Sequence, residues 1–194
     1  ATATADDWAL DIAAVARAAL DAKSTLGAFA KRIDATRVGA LGHSLGGAAS
    51  VLAAKHLTTI RAAANLDGTF QGDVLSAGLD QPVLFMGSEG HLTADSSIDE
   101  LVAHARGRVY LVEVAGSAHT NFSDYNFWYP YAHSLDPSVT PADYGLGAIE
   151  ATRMQEIVAS YVTAFFGEAL AGERSELLSG ASAPFPEAPL VRAR

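Results

Sequence analysis

Val38-Gly39-Ala40-Leu41-Gly42-His43-Ser44-Leu45-Gly46-Gly47-Ala48-Ala49-Ser50 is the stretch on which the reading of this chain turns. Thr36 to Gly42 is a short apolar run bounded by glycine, and Leu45 to Leu57 is alanine-rich with Leu and Val at helical spacing. The pattern predicts strand, tight turn, helix, with Ser44 in the turn. In a G-x-S-x-G turn of this kind the small flanking residues permit a strained backbone that lifts the serine oxygen clear of the sheet. Gly42-His43-Ser44-Leu45-Gly46 meets both the pattern and the strand-to-helix context, which makes Ser44 a candidate nucleophile and the Leu45 backbone N–H a candidate oxyanion donor.

Working outward, Asp7 to Ala22 places Trp8, Ile12, Val15 and Ala19 at helical spacing behind acidic residues that suit a first turn. After Ser44 the spacing predicts a strand over Ile60 to Leu66, a loop over Gly68 to Gly78, and a strand over Pro82 to Met86. A helix over Ser97 to Ala105, capped by Ser96 or Ser97, and a strand over Val109 to Val114 follow. Residues 123–146 turn aromatic and proline-rich and read as an irregular surface or lid excursion. Ala148 to Leu170 returns to helical periodicity, and 172–194 reads as an extended tail. Strands alternating with helices imply an α/β fold, a mostly parallel sheet with helices on both faces.

The 194 residues, 49% of them hydrophobic, suffice for one domain with a sizeable core. A net charge of -9, from 13 Lys and Arg against 22 Asp and Glu, argues against nucleic acid as a partner. With no cysteine there is no disulfide framework and no thiol nucleophile, and the compartment stays open. No apolar run approaches the roughly 20 residues of a membrane-spanning helix. No metal or other cofactor is implied, because no two histidines stand at a ligand spacing such as H-E-x-x-H.

A serine hydroxyl needs an imidazole to take its proton and a third group to hold that ring. The base must lie where loops leave the C-terminal ends of the strands, the edge at which ligand sites form in open parallel sheets. Of six histidines, His43 is expected to project away from Ser44, His56 and His104 fall on helices, and His133 lies in the aromatic excursion. His91 is a weak candidate after the Pro82 to Met86 strand. His119, directly after the Val109 to Val114 strand, is the base the order favours. The acid should lie between serine and histidine in the chain, and Asp67 and Glu89 both end strands at that edge, whereas Asp80, Asp95 and Asp99 read as solvated charges. Phe70, Phe122, Phe127, Trp128 and Tyr129 are candidate walls of an apolar substrate pocket.

Taken together, G-H-S-L-G-G, N-L-D-G-T-F, P-V-L-F-M-G-S-E and G-S-A-H-T-N-F-S-D-Y resemble the platelet-activating factor acetylhydrolase group of α/β-hydrolases over about Asp11 to Leu170. The resemblance implies Asp67 as the acid, leaving Glu89 as the alternative, and His119 as the base, with Phe122 and Asp124 on matching motif positions. It implies a serine carboxylic ester hydrolase working through an acyl-enzyme on short-chain or phospholipid-type esters. More distant similarity to polyester hydrolases and cutinase-like esterases makes polymer esters a second substrate class. Peptide, amide or thioester cleavage and a non-catalytic binding partner are further readings. Gly68 departs from the group, where a larger residue often follows L-D.

Only 43 residues precede Ser44, and in this fold the nucleophile strand is normally interior. The chain is therefore expected to be the C-terminal part of one α/β-hydrolase domain. An N-terminal fragment or chain would then complete the sheet and supply the second oxyanion donor.

Overall fold

The computed structural model describes residues 2–180 and 184–193, so parts of the tail at 181–183 and 194 lie outside the described residues. In chain order the elements are α1 (Thr2–Leu20), α2 (Gly27–Ala30), β1 (Val38–His43), α3 (Leu45–His56), β2 (Ile60–Leu66), α4 (Val74–Ala77) and β3 (Val83–Ser88). They continue as α5 (His91–Ala94), α6 (Ser96–His104), β4 (Val109–Val114), α7 (Tyr125–Leu135), α8 (Ala151–Ala171) and β5 (Leu190–Ala193). The strands form one sheet in the order β1-β2-β3-β4-β5. The first four are parallel, and β5 returns antiparallel to β4.

The strands alternate their side chains between two apolar layers, as a sheet buried on both faces requires. Val83, Phe85, Val109 and Leu111 face α3 and α6, with Val51, Leu52, Ile98 and Leu101. Leu84, Met86, Tyr110 and Val112 face α8, with Met154, Ile157, Tyr161 and Phe165. Among the described residues, no helix is long and apolar enough to cross a membrane.

Helix α1 differs from its sequence reading. It starts at Thr2, so Asp7 is not in its first turn, and its buried stripe is Ala5, Ala9 and Ala13 while Trp8 and Val15 are exposed. The reason is steric: α3 is fully buried over Ala48 to Ala54, and only another small-residue stripe fits closely against such a surface. The loop expected over Gly68 to Gly78 contains the single turn α4. The cap of α6 is Asp95, which accepts the Ser97 N–H at 2.9 Å, rather than Ser96 or Ser97. Helix α8 begins at Ala151, because Glu150 caps it through Thr152 and Arg153 N–H groups and Ile149 is held by its N–H to the Gly116 carbonyl.

Two segments expected to be irregular or merely extended are organised. Within 123–146, Tyr125 to Leu135 is a helix with Pro130 inside it, anchored by the buried Asn126 against the turn at 119–122. The tail at 172–193 contains a 3-10 turn at Glu176–Ser179 and the strand β5, and Phe185 and Ala188 enter the core. Tyr161 Oη donates to the Ala188 carbonyl at 2.7 Å, and Arg153 lies over the Phe185 ring while pairing with Glu187. These long-range contacts have no local sequence signature. They close the β4 side of the sheet, while among the described residues β1 pairs with β2 alone.

Candidate active site

Ser44 sits between β1 and α3 at φ 56°, ψ -128°, outside the regions an L-residue favours. The strain is held by backbone bonds on both sides: the Ser44 N–H donates to the Leu66 carbonyl at 2.8 Å, and its own carbonyl accepts the Gly47 N–H at 2.9 Å. Gly42 is required by this crossing, since a Cβ there would stand 2.3 Å from the Gly46 oxygen. Leu45 is the first residue of α3, so its N–H has no intrahelical acceptor and lies at the positive end of the helix dipole.

Asp67, directly after β2, is the second non-glycine residue with positive φ, at 57°. Its turn is built by the buried Asn65, whose side-chain oxygen accepts the Gly68 N–H at 2.9 Å and whose amide donates to the Gly68 carbonyl at 2.7 Å. Gly68 is not a neutral departure from the L-D pattern: a Cβ there would fall 2.0 Å from the Ser44 carbonyl oxygen. Gly68→Ala is expected to lower stability by about 2 kcal/mol, the range of overpacking a filled site, and to lower ester turnover by displacing the Ser44 turn. Urea unfolding and kcat of this variant check the point; values equal to wild type would show that the two turns are not in contact.

Asp67 and His119 converge on Ser44. His119 Nε2 is 2.9 Å from Ser44 Oγ, and His119 Nδ1 is 2.7 Å from Asp67 Oδ2. Asp67 is 2% exposed and also accepts the Ser88 N–H at 2.6 Å and the Ser88 hydroxyl at 3.0 Å. Burial alone would push its carboxyl pKa up; hydrogen bonds from His91, the Ser88 backbone and His119 outweigh that and hold it below the usual value. Because Asp67 accepts at Nδ1, that nitrogen carries the proton and Nε2 is left free to accept from Ser44.

The loop carrying His119 is fixed by side chains that the sequence did not single out. Asn121 Oδ1 accepts the Ala118 N–H at 2.7 Å and the Gly147 N–H at 2.8 Å, and its amide donates to Asn126 Oδ1 at 2.7 Å. A buried asparagine two residues after the histidine is the only local sign of this role. His43, expected to point away, donates from Nε2 to the His119 carbonyl at 2.9 Å and packs its ring 4.5 Å from the His119 ring. Burial, and then the neighbouring His119, lower its pKa, which favours the neutral ring packed against His119.

Glu89 takes a different place, accepting the Gly116 N–H at 3.1 Å, and so braces the loop after β4 without touching His119. Asp95 is not a solvated charge: it caps α6 and lies 3.2 Å from His91 Nε2. His91 Nδ1 is 2.5 Å from Asp67 Oδ1, so this histidine meets the acid and not the serine.

The aromatic wall residues separate. Phe70 is buried against Phe85 in the α3 layer, because its loop folds under α6, where its N–H meets Ser97 Oγ. Trp128 is 59% exposed on the outer side of α7, and Tyr129 packs near His133 and Tyr144. Phe122 and Phe127 line a cavity of about 300 Å³ with Leu41, Leu66, Met154 and Val158, between strands β1 and β2 and helix α8.

A mostly parallel sheet sandwiched by helices, with a serine on a strained strand-to-helix turn, defines an α/β-hydrolase fold. It superposes on a ferulic acid esterase from Streptomyces cinnamoneus with a TM-score of 0.84 at 28% identity, covering 100% of this chain and 56% of that one. The family model for platelet-activating factor acetylhydrolase, isoform II, matches residues 9–170, and the chain belongs to that family. A probable 1-alkyl-2-acetylglycerophosphocholine esterase from Arthroderma benhamiae is 30% identical over 164 residues, 78% of this chain and 42% of the relative. The chain thus spans about half the length of the proteins it matches.

Proposed function

We propose that the protein is a serine carboxylic ester hydrolase acting through an acyl-enzyme. The observation that carries this reading is the continuous path Asp67 Oδ2, His119, Ser44 Oγ, each link at hydrogen-bond length. His119 Nε2 accepts the Ser44 proton as Oγ bonds to the ester carbonyl carbon, and Asp67 stabilises the imidazolium that forms. The Leu45 N–H donates to the oxyanion. The tetrahedral species collapses as His119 returns the proton to the departing alcohol, leaving the acyl group on Ser44. Water, deprotonated by the same nitrogen, then releases the acid and restores the serine.

Family membership and the acetyl ester named for the fungal relative support short-chain or phospholipid-type esters as substrates. We also propose that residues 1–194 form the C-terminal part of the hydrolase domain, with polypeptide outside them adding a strand to β1. The support is that among the described residues β1 pairs with β2 alone and its Leu41, which lines the apolar cavity, is 50% exposed, and an open apolar strand edge is an aggregation hazard unless covered. Such a segment would bring the second oxyanion donor, whose absence typically costs on the order of 10²- to 10³-fold in rate.

One experiment addresses both statements. p-Nitrophenyl esters of increasing acyl length and a matched anilide are assayed with the full-length polypeptide and with residues 1–194. The acetyl ester is expected to turn over fastest, and the full-length polypeptide to exceed the 194 residues by about 10²-fold. Anilide turnover above ester turnover would refute the esterase reading; equal rates for the two polypeptides would refute the missing donor.

A further inference from the structure

His91 is held between two carboxylates. Its Nδ1 lies 2.5 Å from Asp67 Oδ1 and its Nε2 lies 3.2 Å from Asp95 Oδ2, while the ring edge packs against Phe85 at 5.3 Å between centroids. An ionised carboxylate only accepts hydrogen bonds, so both contacts are satisfied together only when both ring nitrogens carry hydrogen. The surroundings favour that charged form. Asp67 and Asp95 are 1% and 13% exposed at their side chains, and among the described residues their ionic partners are histidines, with no Lys or Arg on either. Two poorly solvated carboxylates this close to one ring need a cation between them.

Every element packed around His91 contributes to this balance. The turn after β2 brings Asp67, and the start of α6 brings Asp95, whose other oxygen takes the Ser97 N–H at 2.9 Å. Strand β3 brings Phe85 and Ser88, the latter bonded to Asp67. Glu113 on β4 accepts the Leu92 N–H at 3.0 Å, and His119 shares Asp67 from the far side. The titratable neighbours are therefore three carboxylates and one histidine.

We propose that His91 is a positioning residue for the serine hydrolase site, and that as an imidazolium bridging Asp67 and Asp95 it holds Asp67 with Oδ2 turned to His119. The role rests on the esterase reading. The Asp67 carboxylate has four donors around two oxygens, and those at Oδ1, from His91 and the Ser88 backbone, fix which oxygen remains for the base. His91 also ties this acid to α6, so the Asp67 turn is braced from the helix layer as well as from the sheet.

The pKa of His91 is raised, chiefly by its hydrogen bond to Asp67 against the opposing effect of burial. Its stabilising contribution is accordingly complete below the ordinary imidazole value of about 6.5 and fades as pH rises through the raised folded-state value. The neutral ring keeps one N–H for Asp67 and releases Asp95.

The test uses the full-length polypeptide. Nitrogen-15 NMR of Ser44→Ala, which needs no activity, is expected to show both His91 ring nitrogens protonated at pH 7. In kinetics, wild-type kcat is expected to fall severalfold at alkaline pH along the His91 titration. His91→Asn keeps a non-ionising donor for Asp67 and is expected to run near the wild type's alkaline level throughout, without that alkaline step. His91→Phe, with no donor, is expected to lose about 10- to 100-fold in kcat with KM within about twofold, the scale of a misplaced catalytic group. A singly protonated His91 at pH 7 would overturn the proposal, as would wild-type kcat with an unchanged alkaline limb in His91→Asn and His91→Phe. A wild type that carries the doubly protonated ring but hydrolyses no ester would overturn the esterase reading itself, and the positioning role with it.

Discussion

Ser44→Ala is expected to lower kcat for a short-chain ester by on the order of 10⁶-fold while leaving the fold intact. The magnitude follows from the loss of the acyl-enzyme route: without Oγ, His119 has nothing to activate except a water that no group positions. The residual rate would come from substrate binding and the oxyanion donors, the Leu45 N–H among them. The substitution should not unfold the protein, because the Ser44 hydroxyl supports only His119, at 2.9 Å, and not the core. The positive φ of 56° is as awkward for alanine as for serine, so relief of active-site strain does not distinguish them. Steady-state kinetics beside a thermal melt separates the outcomes. A loss smaller than about tenfold in a folded variant would mean that another nucleophile acts.

Asp67→Asn is expected to cost about 10⁴-fold in kcat. The four donors around Asp67 explain why an isosteric change is so damaging. The Ser88 backbone N–H, 2.6 Å from Oδ1, cannot be reversed, so the asparagine must place its oxygen there and its NH₂ toward His119. That NH₂ forces His119 to accept at Nδ1 and carry its proton at Nε2. The base then presents an N–H to Ser44 and cannot take its proton. KM should change far less than kcat, since Asp67 is buried behind His119. A variant retaining more than a tenth of wild-type kcat would place the acid elsewhere, and Glu89, which braces Gly116, would need a new explanation.

How legible this was from the sequence depended on whether the determinants were local. The strands Ile60–Leu66 and Val109–Val114 were readable to the residue, because apolar runs between turn signals are local features. The serine turn was equally legible: glycine at 42 follows from a backbone crossing only four residues long. The contacts that determine register between loops were not. Gly68 reads as a departure from a motif until Ser44 is seen against it. His91 and Asp95 read as a weak candidate base and a solvated charge until the sheet edge brings Asp67 between His91 and His119. In helix α1 the large residues suggest one buried face, whereas the alanine face of α3 selects Ala5, Ala9 and Ala13. The prolines and aromatics of 123–146 suggest an irregular segment, yet one buried asparagine, Asn126, ties a helix there to the His119 loop.

The central claim is that Ser44 becomes the acylated residue because His119 and Asp67 stand behind it. A fluorophosphonate probe tests it most directly, with intact mass and peptide mapping of the protein after labelling. One adduct, on Ser44, is expected in wild type, none in Ser44→Ala, and strongly slowed labelling in Asp67→Asn. Labelling at another residue, or none in folded wild type, would contradict the account.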